Sequence, residues 1–331
     1  MLGNRSGMAL LLTLLAISFM MAVTVQLFSS VNWQMQAAVN LRDSIKLDAL
    51  NRSGLSLIRA ALRADLEKNQ FDSLHDDWNS FDSEKLASLV GGDQLSITVT
   101  DLSGRLQINA LVFNKKDKQE EKKQDDLQEA LWKRFLQSGN FAIESDEEAE
   151  IIIDSIKDWI DKDENVEDKG AENSYYQSMD PPYTPRNGPV VYLEELLLIQ
   201  GMTNDLFYGN EEHSGIAEYL TVVGDDGKIN INTAPAPILL ALAEGMNEEM
   251  VQDIIAFRED KENEDSLANP GWLQQVGSVT GDISPDTGLL TVESRYFMVT
   301  SSARVNEISR TGTGILFRKE KGEQLVNWEV R

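Results

Sequence analysis

The sequence predicts an α+β protein: a long N-terminal helix carries a small antiparallel sheet, and an all-α domain interrupts that sheet. Three observations predict it. An uncharged run, Met8–Phe28, passes directly into an amphipathic helical pattern. Alternating, β-branched segments occur at Leu95–Thr100 and again from Tyr296 to Arg318. Between them the periodicity is mainly helical.

The elements follow in chain order. Met8–Phe28 holds 21 residues, with only Thr13, Ser18, Thr24 and Gln26 polar. At about 1.5 Å per residue they cover the roughly 30 Å hydrocarbon core. A secretory signal peptide has a shorter apolar stretch and a small-residue cleavage site, whereas this run continues through Ser29-Ser30-Val31-Asn32-Trp33. Arg5 on the short flank places that flank in the cytoplasm. The rest of the chain is then expected beyond the inner membrane, in the periplasm. From Trp33 to Leu66 no proline intervenes, and Leu41, Ile45, Leu50, Leu55, Ile58 and Leu62 keep helical spacing.

Leu95–Thr100, the turn Asp101-Leu102-Ser103-Gly104 and Arg105–Phe113 read as a β-hairpin. The run KKDKQEEKKQDD, 115–126, reads as a solvated connector and domain boundary. Helices are expected at Leu127–Ser138, Asp146–Trp159, Leu193–Gln200, Pro237–Glu244 and Asn247–Arg258, and strands at Tyr296–Val305 and Glu307–Arg318. The domain reading is a leader at 1–7 and a helix at 8–66, of which 8–28 crosses a membrane. An α+β domain at 67–114 and 289–331 is then interrupted by a helical insert at 115–288.

Composition narrows the function. The 331 residues carry 30 basic and 55 acidic side chains, a formal charge of −25. Such a surface repels phosphate backbones, so nucleic acid is not an expected partner. With no cysteine, thiolate centres are excluded, and with two histidines a histidine-built centre is nearly so. No nucleophile elbow, P-loop or H-E-x-x-H motif occurs, and no enzymatic activity is expected.

Leu196–Asp205 repeats as Leu240–Glu249: helix, glycine, methionine, N-cap, acids. This is a helix-hairpin-helix-like pattern. In DNA-binding versions the hairpin faces phosphate; here it carries Asp205, Glu248 and Glu249, so packing is the expected role. A membrane-anchored binder for DNA uptake or adhesion is the second reading, and basic hairpin loops would favour it.

Glu144–Glu172 holds thirteen acids against three lysines. Asp154, Asp158 and Asp161 fall at i, i+4 and i+7 on one helical face, and further acids follow in a loop. Hard oxygen donors from a helix end and a returning loop suit calcium. Asp161, Asp163 and Glu172, chosen by their places around the loop, are the expected ligands; a solvated acidic face is the alternative.

Arg5-Ser6-Gly7 before an apolar helix beginning at Met8 resembles the leader of type IV prepilins and type II secretion pseudopilins. The resemblance implies that a prepilin peptidase cuts between Gly7 and Met8. Leu12 stands where most members carry a glutamate, a departure characteristic of the minor pseudopilin K family. Similar to that family, in order, are Asp101-Leu102-Ser103-Gly104-Arg105, Asp158-Trp159-Ile160-Asp161, Gly170-Ala171-Glu172-Asn173, the loop PPYTPRNGP, Lys228–Ala234 and Ser294-Arg295-Tyr296-Phe297. The resemblance implies a subunit at the tip of the type II secretion pseudopilus, anchored in inner-membrane lipid beside other minor pseudopilins. It also implies Ca2+ in the helical domain.

Overall fold

The computed structural model describes residues 5–68, 70–81, 85–86, 88, 94–113, 118–279, 283–319 and 322–331. Residues 1–4 of the leader and 115–117 of the charged run lie outside them.

One helix, α1, runs unbroken from Arg5 to Lys68. It begins three residues before the expected start at Met8. Its apolar half buries nothing within the protein, and Leu12 and Phe28 are exposed. Thr13 and Thr24 donate their hydroxyls to the Leu10 and Met20 carbonyls, so neither needs water. Beyond Asp43 the helix acquires a packed face: Leu47, Leu50, Leu55, Ile58 and Leu62 lie on the sheet.

That sheet is β1 (Gln94–Asp101), β6 (Tyr296–Val305), β7 (Ile308–Arg318) and β8 (Glu323–Val330), in that order and antiparallel throughout. Leu95, Ile97 and Val99 alternate inward against Phe297, Val299 and α1, as the period-2 pattern requires. Arg59 and Arg63 of α1 both bind Glu323, at 2.7 Å each, which ties β8 to the helix.

The insert leaves the end of β1 and returns at the start of β6. Its helices are α2 (Lys118–Leu136), α3 (Asp146–Ile160), α4 (Asn173–Tyr176), α5 (Asn204–Tyr208), α6 (Ala236–Ala241) and α7 (Glu248–Glu259). They enclose a second core around Trp132, Phe135, Ile152, Ile156, Leu239 and Trp272. Lys157 and Lys133 cross from α3 and α2 to Glu129 and Glu150, at 2.5 Å each.

Four sequence expectations are corrected. The hairpin does not form: β1 pairs with β6, while Leu106–Gln107 (β2) pairs in parallel with Leu220–Thr221 (β3). The cause is visible in the consecutive Leu106, Gln107 and Ile108 and the adjacent Ala110 and Leu111, which are all buried, so the segment lacks a strand's alternation. These residues belong to the second core, so the boundary precedes 114. The charged run is not a connector, since α2 starts at Lys118. Lysine and glutamate favour helix, and Asp125 accepts the Phe113 amide at 3.0 Å. Finally, the insert is not all-α. It contains the β2–β3 pair, the parallel pair Ile229–Asn230 (β4) with Leu290–Thr291 (β5), and 3₁₀ turns at Leu193–Leu198 and Lys261–Ala268.

The two repeated turns share local geometry. Gly201 and Gly245 adopt φ of +82° and +83°, and Thr203 and Asn247 accept the Leu206 and Met250 amides as N-caps. Asp205, Glu248 and Glu249 point to solvent.

Candidate metal centre

Helix α3 is built to expose one end of an acidic row. Ser145 caps it, and Asp146, Glu147 and Glu148 complement the dipole of its first turn. Ile152, Ile153, Ile156 and Trp159 bury its apolar face. That packing leaves Asp154 and Asp158 facing the loop that follows.

The loop folds back onto them through main-chain donors. Lys169 N reaches Asp154 Oδ2 at 3.0 Å, and Glu167 N reaches Asp158 Oδ1 at 3.1 Å. Gly170 is needed here, because a Cβ would stand 2.0 Å from Asp158 Oδ2. The loop ends at Glu172, ahead of α4. Tyr176 of α4 packs edge-on against Trp159 at 5.2 Å, so the two ends of the loop are held together. Asn187 joins from the proline-rich loop, donating to the Asp163 carbonyl and to Glu164 Oε1.

The result is a group of three carboxylates. One oxygen from each of Asp158, Asp161 and Glu172 lies within 4.8 Å of the others. Asp158 is fully buried and Glu172 is 2% exposed, yet neither oxygen of Glu172 accepts a hydrogen bond. Burial, then the neighbouring Asp158 and Asp161, pushes Glu172 up to about 7. Burial pushes Asp158 and Asp161 up to about 6 each; the Glu167 amide opposes this at Asp158, and Asp163 adds to it at Asp161.

Two of the three expected ligands, Asp161 and Glu172, therefore come together. Asp163 is not in the group; its Oδ1 instead accepts the Asn165 amide at 2.9 Å. Asp158 takes its place among the three. The signal for it was present in the i, i+3 spacing of Asp158 and Asp161, which puts both at one helix end. Three hard oxygen donors, one buried without any partner, are chemically suited to a divalent cation. Gly7 and Met8, the expected cleavage pair, lie within the first turns of α1, and nothing lies within 4 Å of a Cβ at Gly7.

A membrane-length helix whose distal half carries an antiparallel sheet defines a pilin-type subunit, here with a large insert. Family models described as type II secretion system (T2SS), protein K, match residues 104–209 and 229–287, the first stretch including all three carboxylates. The type II secretion system protein K of Pseudomonas aeruginosa is 25% identical, covering 97% of this chain and 91% of the relative. That of Aeromonas hydrophila is 26% identical over 98% and 96%. A similar fold occurs in the crystal structure of the GspK-GspI-GspJ complex from the enterotoxigenic Escherichia coli type 2 secretion system. Its TM-score is 0.63 at 19% identity, over 89% of this chain and 99% of that one. The chain belongs to the type II secretion system protein K family and is a minor pseudopilin of type II secretion.

Proposed function

We propose that this minor pseudopilin sits at the tip of the pseudopilus, anchored by α1 with its N-terminus cytoplasmic and its folded domains periplasmic. The observation that carries the tip position is the insert. It leaves and rejoins the sheet at the adjacent strands β1 and β6, so its whole bulk stands on one end of the pilin-like domain. A subunit of that shape obstructs the next layer of a packed fibre. Leu12 is consistent with this, since it offers no carboxylate to a neighbour's N-terminus. The structural relative was solved with GspI and GspJ, which supports other minor pseudopilins as partners. Prepilin peptidase would release Met8 as the mature N-terminus.

Within the insert, Asp158, Asp161 and Glu172 would hold Ca2+, which would neutralise three repelling carboxylates and clasp the loop to α3. The repeated turns at Gly201 and Gly245 would serve as packing scaffold; their exposed acids oppose the DNA-binding alternative.

The chain has no cysteine, so one introduced at exposed Tyr208 gives a unique label. Gold-labelled maleimide on assembled pseudopili should mark one end of each fibre. Label spaced along the fibre length would refute the tip assignment.

A further inference from the structure

The insert meets the pilin-like domain through a buried polar seam centred on Asp72. Its backbone N donates to Val292 O at 2.8 Å, and its carbonyl accepts Asn230 Nδ2 and Asn232 Nδ2 at 3.2 and 3.1 Å. Its carboxylate accepts Ser294 N at 2.6 Å and Arg318 Nη2 from the end of β7. Arg318 Nη1 reaches Asp65 of α1 at 3.2 Å. Asp101, at the end of β1, accepts Asn230, Thr233, Ser294 and the Ser103 amide. On the far side Asn232 binds Leu267 O and Trp272 Nε1. One network thus joins α1, β1 and β7 to the insert.

Its charges do not balance. Asp65, Asp72, Asp76 and Asp101 are all buried, at 3%, 1%, 7% and 6% exposure. Among the described residues, Arg318 is the cation bound between Asp65 and Asp72, while Lys68 pairs with exposed Asp77. One oxygen each of Asp65, Asp72 and Asp76 lies within 4.8 Å of the others, and Asp72 Oδ1 accepts no hydrogen bond. A metal ion is disfavoured there, because the Arg318 guanidinium already bridges Asp65 and Asp72. Burial raises Asp101 as well, against its four donors, and Asp76 has the Ser73 amide and Trp78 Nε1. Asp65 and Asp72 are two carboxylates sharing the one Arg318 guanidinium.

We propose that Asp65 and Asp72 share a proton beside Arg318, and that losing it loosens the insert from the sheet, making this seam a pH-sensitive joint. Burial pushes Asp72 up to about 7 against the opposing Arg318, with Asp101 adding to the rise. Burial, with Asp76, pushes Asp65 up to about 6. Both lie above ordinary carboxylates, so the folded joint binds protons that the unfolded chain releases. The contribution is complete below about pH 4 and is lost as pH rises through about 6 to 7. Of the other charged groups, Lys68 on α1 lies near Asp65 and Asp76, and Glu293, Arg295 and Lys319 line the cavity beside Arg318. From the insert come neutral Asn230, Asn232 and Thr233; Arg258 turns its guanidinium to the Ile231 and Ala234 carbonyls, while His75 rests on the Arg258 carbonyl.

The test is hydrogen exchange of the full chain in detergent, with chelator throughout, at about pH 5.5 and about pH 8 after correction for intrinsic rates. Protection of peptides spanning 70–80 and 228–234 should fall about tenfold at the higher pH, while β6 and β7 keep theirs. Asp65→Asn leaves Asp72 paired one-to-one with Arg318 and should hold the joint closed at both pH values. Infrared absorption by a protonated buried carboxyl should also vanish between them in the difference between the parent and Asp65→Asn, which cancels the Asp158, Asp161 and Glu172 carboxyls. Equal protection at the two pH values, an undiminished loss in Asp65→Asn, or no titrating carboxyl band in that difference would overturn the joint.

Discussion

Glu172 closes onto Asp158 from the far end of the loop that follows α3, fourteen residues along the chain. Asp158 spends its oxygens on the Glu167 amide, while both oxygens of Glu172 are buried without a partner. A buried carboxylate without a donor destabilises the fold unless a proton or a cation joins it.

Calcium should therefore stabilise the protein. A ligand bound to the folded state alone adds about 2.7 kcal/mol at a hundredfold excess over Kd. Thermal melting should rise with calcium, return with chelator, and respond less to magnesium, which demands a tighter octahedral shell. Glu172→Gln should abolish the response while raising metal-free stability by on the order of 1–3 kcal/mol, because it removes the unpaired charge. Asp163→Asn should keep most of the response. Melting indifferent to calcium in a metal-free preparation would leave this group as a proton-bearing acidic cluster.

The same three groups set a pH dependence. Glu172 sits at about 7, with Asp158 and Asp161 at about 6, all raised. A cation must displace their protons, so affinity should weaken as pH falls through that window. Calorimetry should give a Kd at least about tenfold weaker at about pH 5.5 than at about pH 7.5, with protons released on binding. Without metal the sign reverses: these groups favour the folded state at low pH, and their contribution is lost as pH rises from about 4 to about 7.

Gly7→Val should block the proposed processing, because it puts a β-branched side chain in place of the glycine at the proposed scissile bond. Mass spectrometry of the membrane fraction should then find the chain still carrying its leader. A mature chain starting at Met8 from that variant would refute cleavage of the prepilin type.

Leu12→Glu puts a carboxylate on the apolar half of α1. The change costs about 2.5 kcal/mol or more in lipid unless the charge is paired. A tip subunit has no neighbour above it to supply an amine, so membrane insertion or secretion should decline. Secretion that improves in Leu12→Glu would place the subunit inside the fibre.

Local rules made much of the chain legible. Twenty-one uncharged residues can satisfy their backbone only as a helix in lipid, so α1 followed from composition and length. Strand β6 ends where alternation ends, and Asn247 marks the start of α7 by its capping oxygen. Arg105–Phe113 mimics the second strand of a hairpin through the turn before it and its β-branched Ile108 and Val112. Only full burial of Leu106, Ile108 and Leu111 shows the segment entering another core. Strand β8 carried little signal of its own, being held by β7 and by Arg59 and Arg63 on Glu323.

The sequence by itself determined the membrane-length helix, the strand periods, the acidic row on α3 and the absence of thiol chemistry, because each depends on neighbours within a few residues. Only the tertiary structure decided that Asp158 rather than Asp163 joins Asp161 and Glu172. It alone brought Asp65 and Asp72 around Arg318, residues separated by up to 253 positions. Burial and charge pairing across such distances depend on how the layers dock, and short-range spacing carries no record of that.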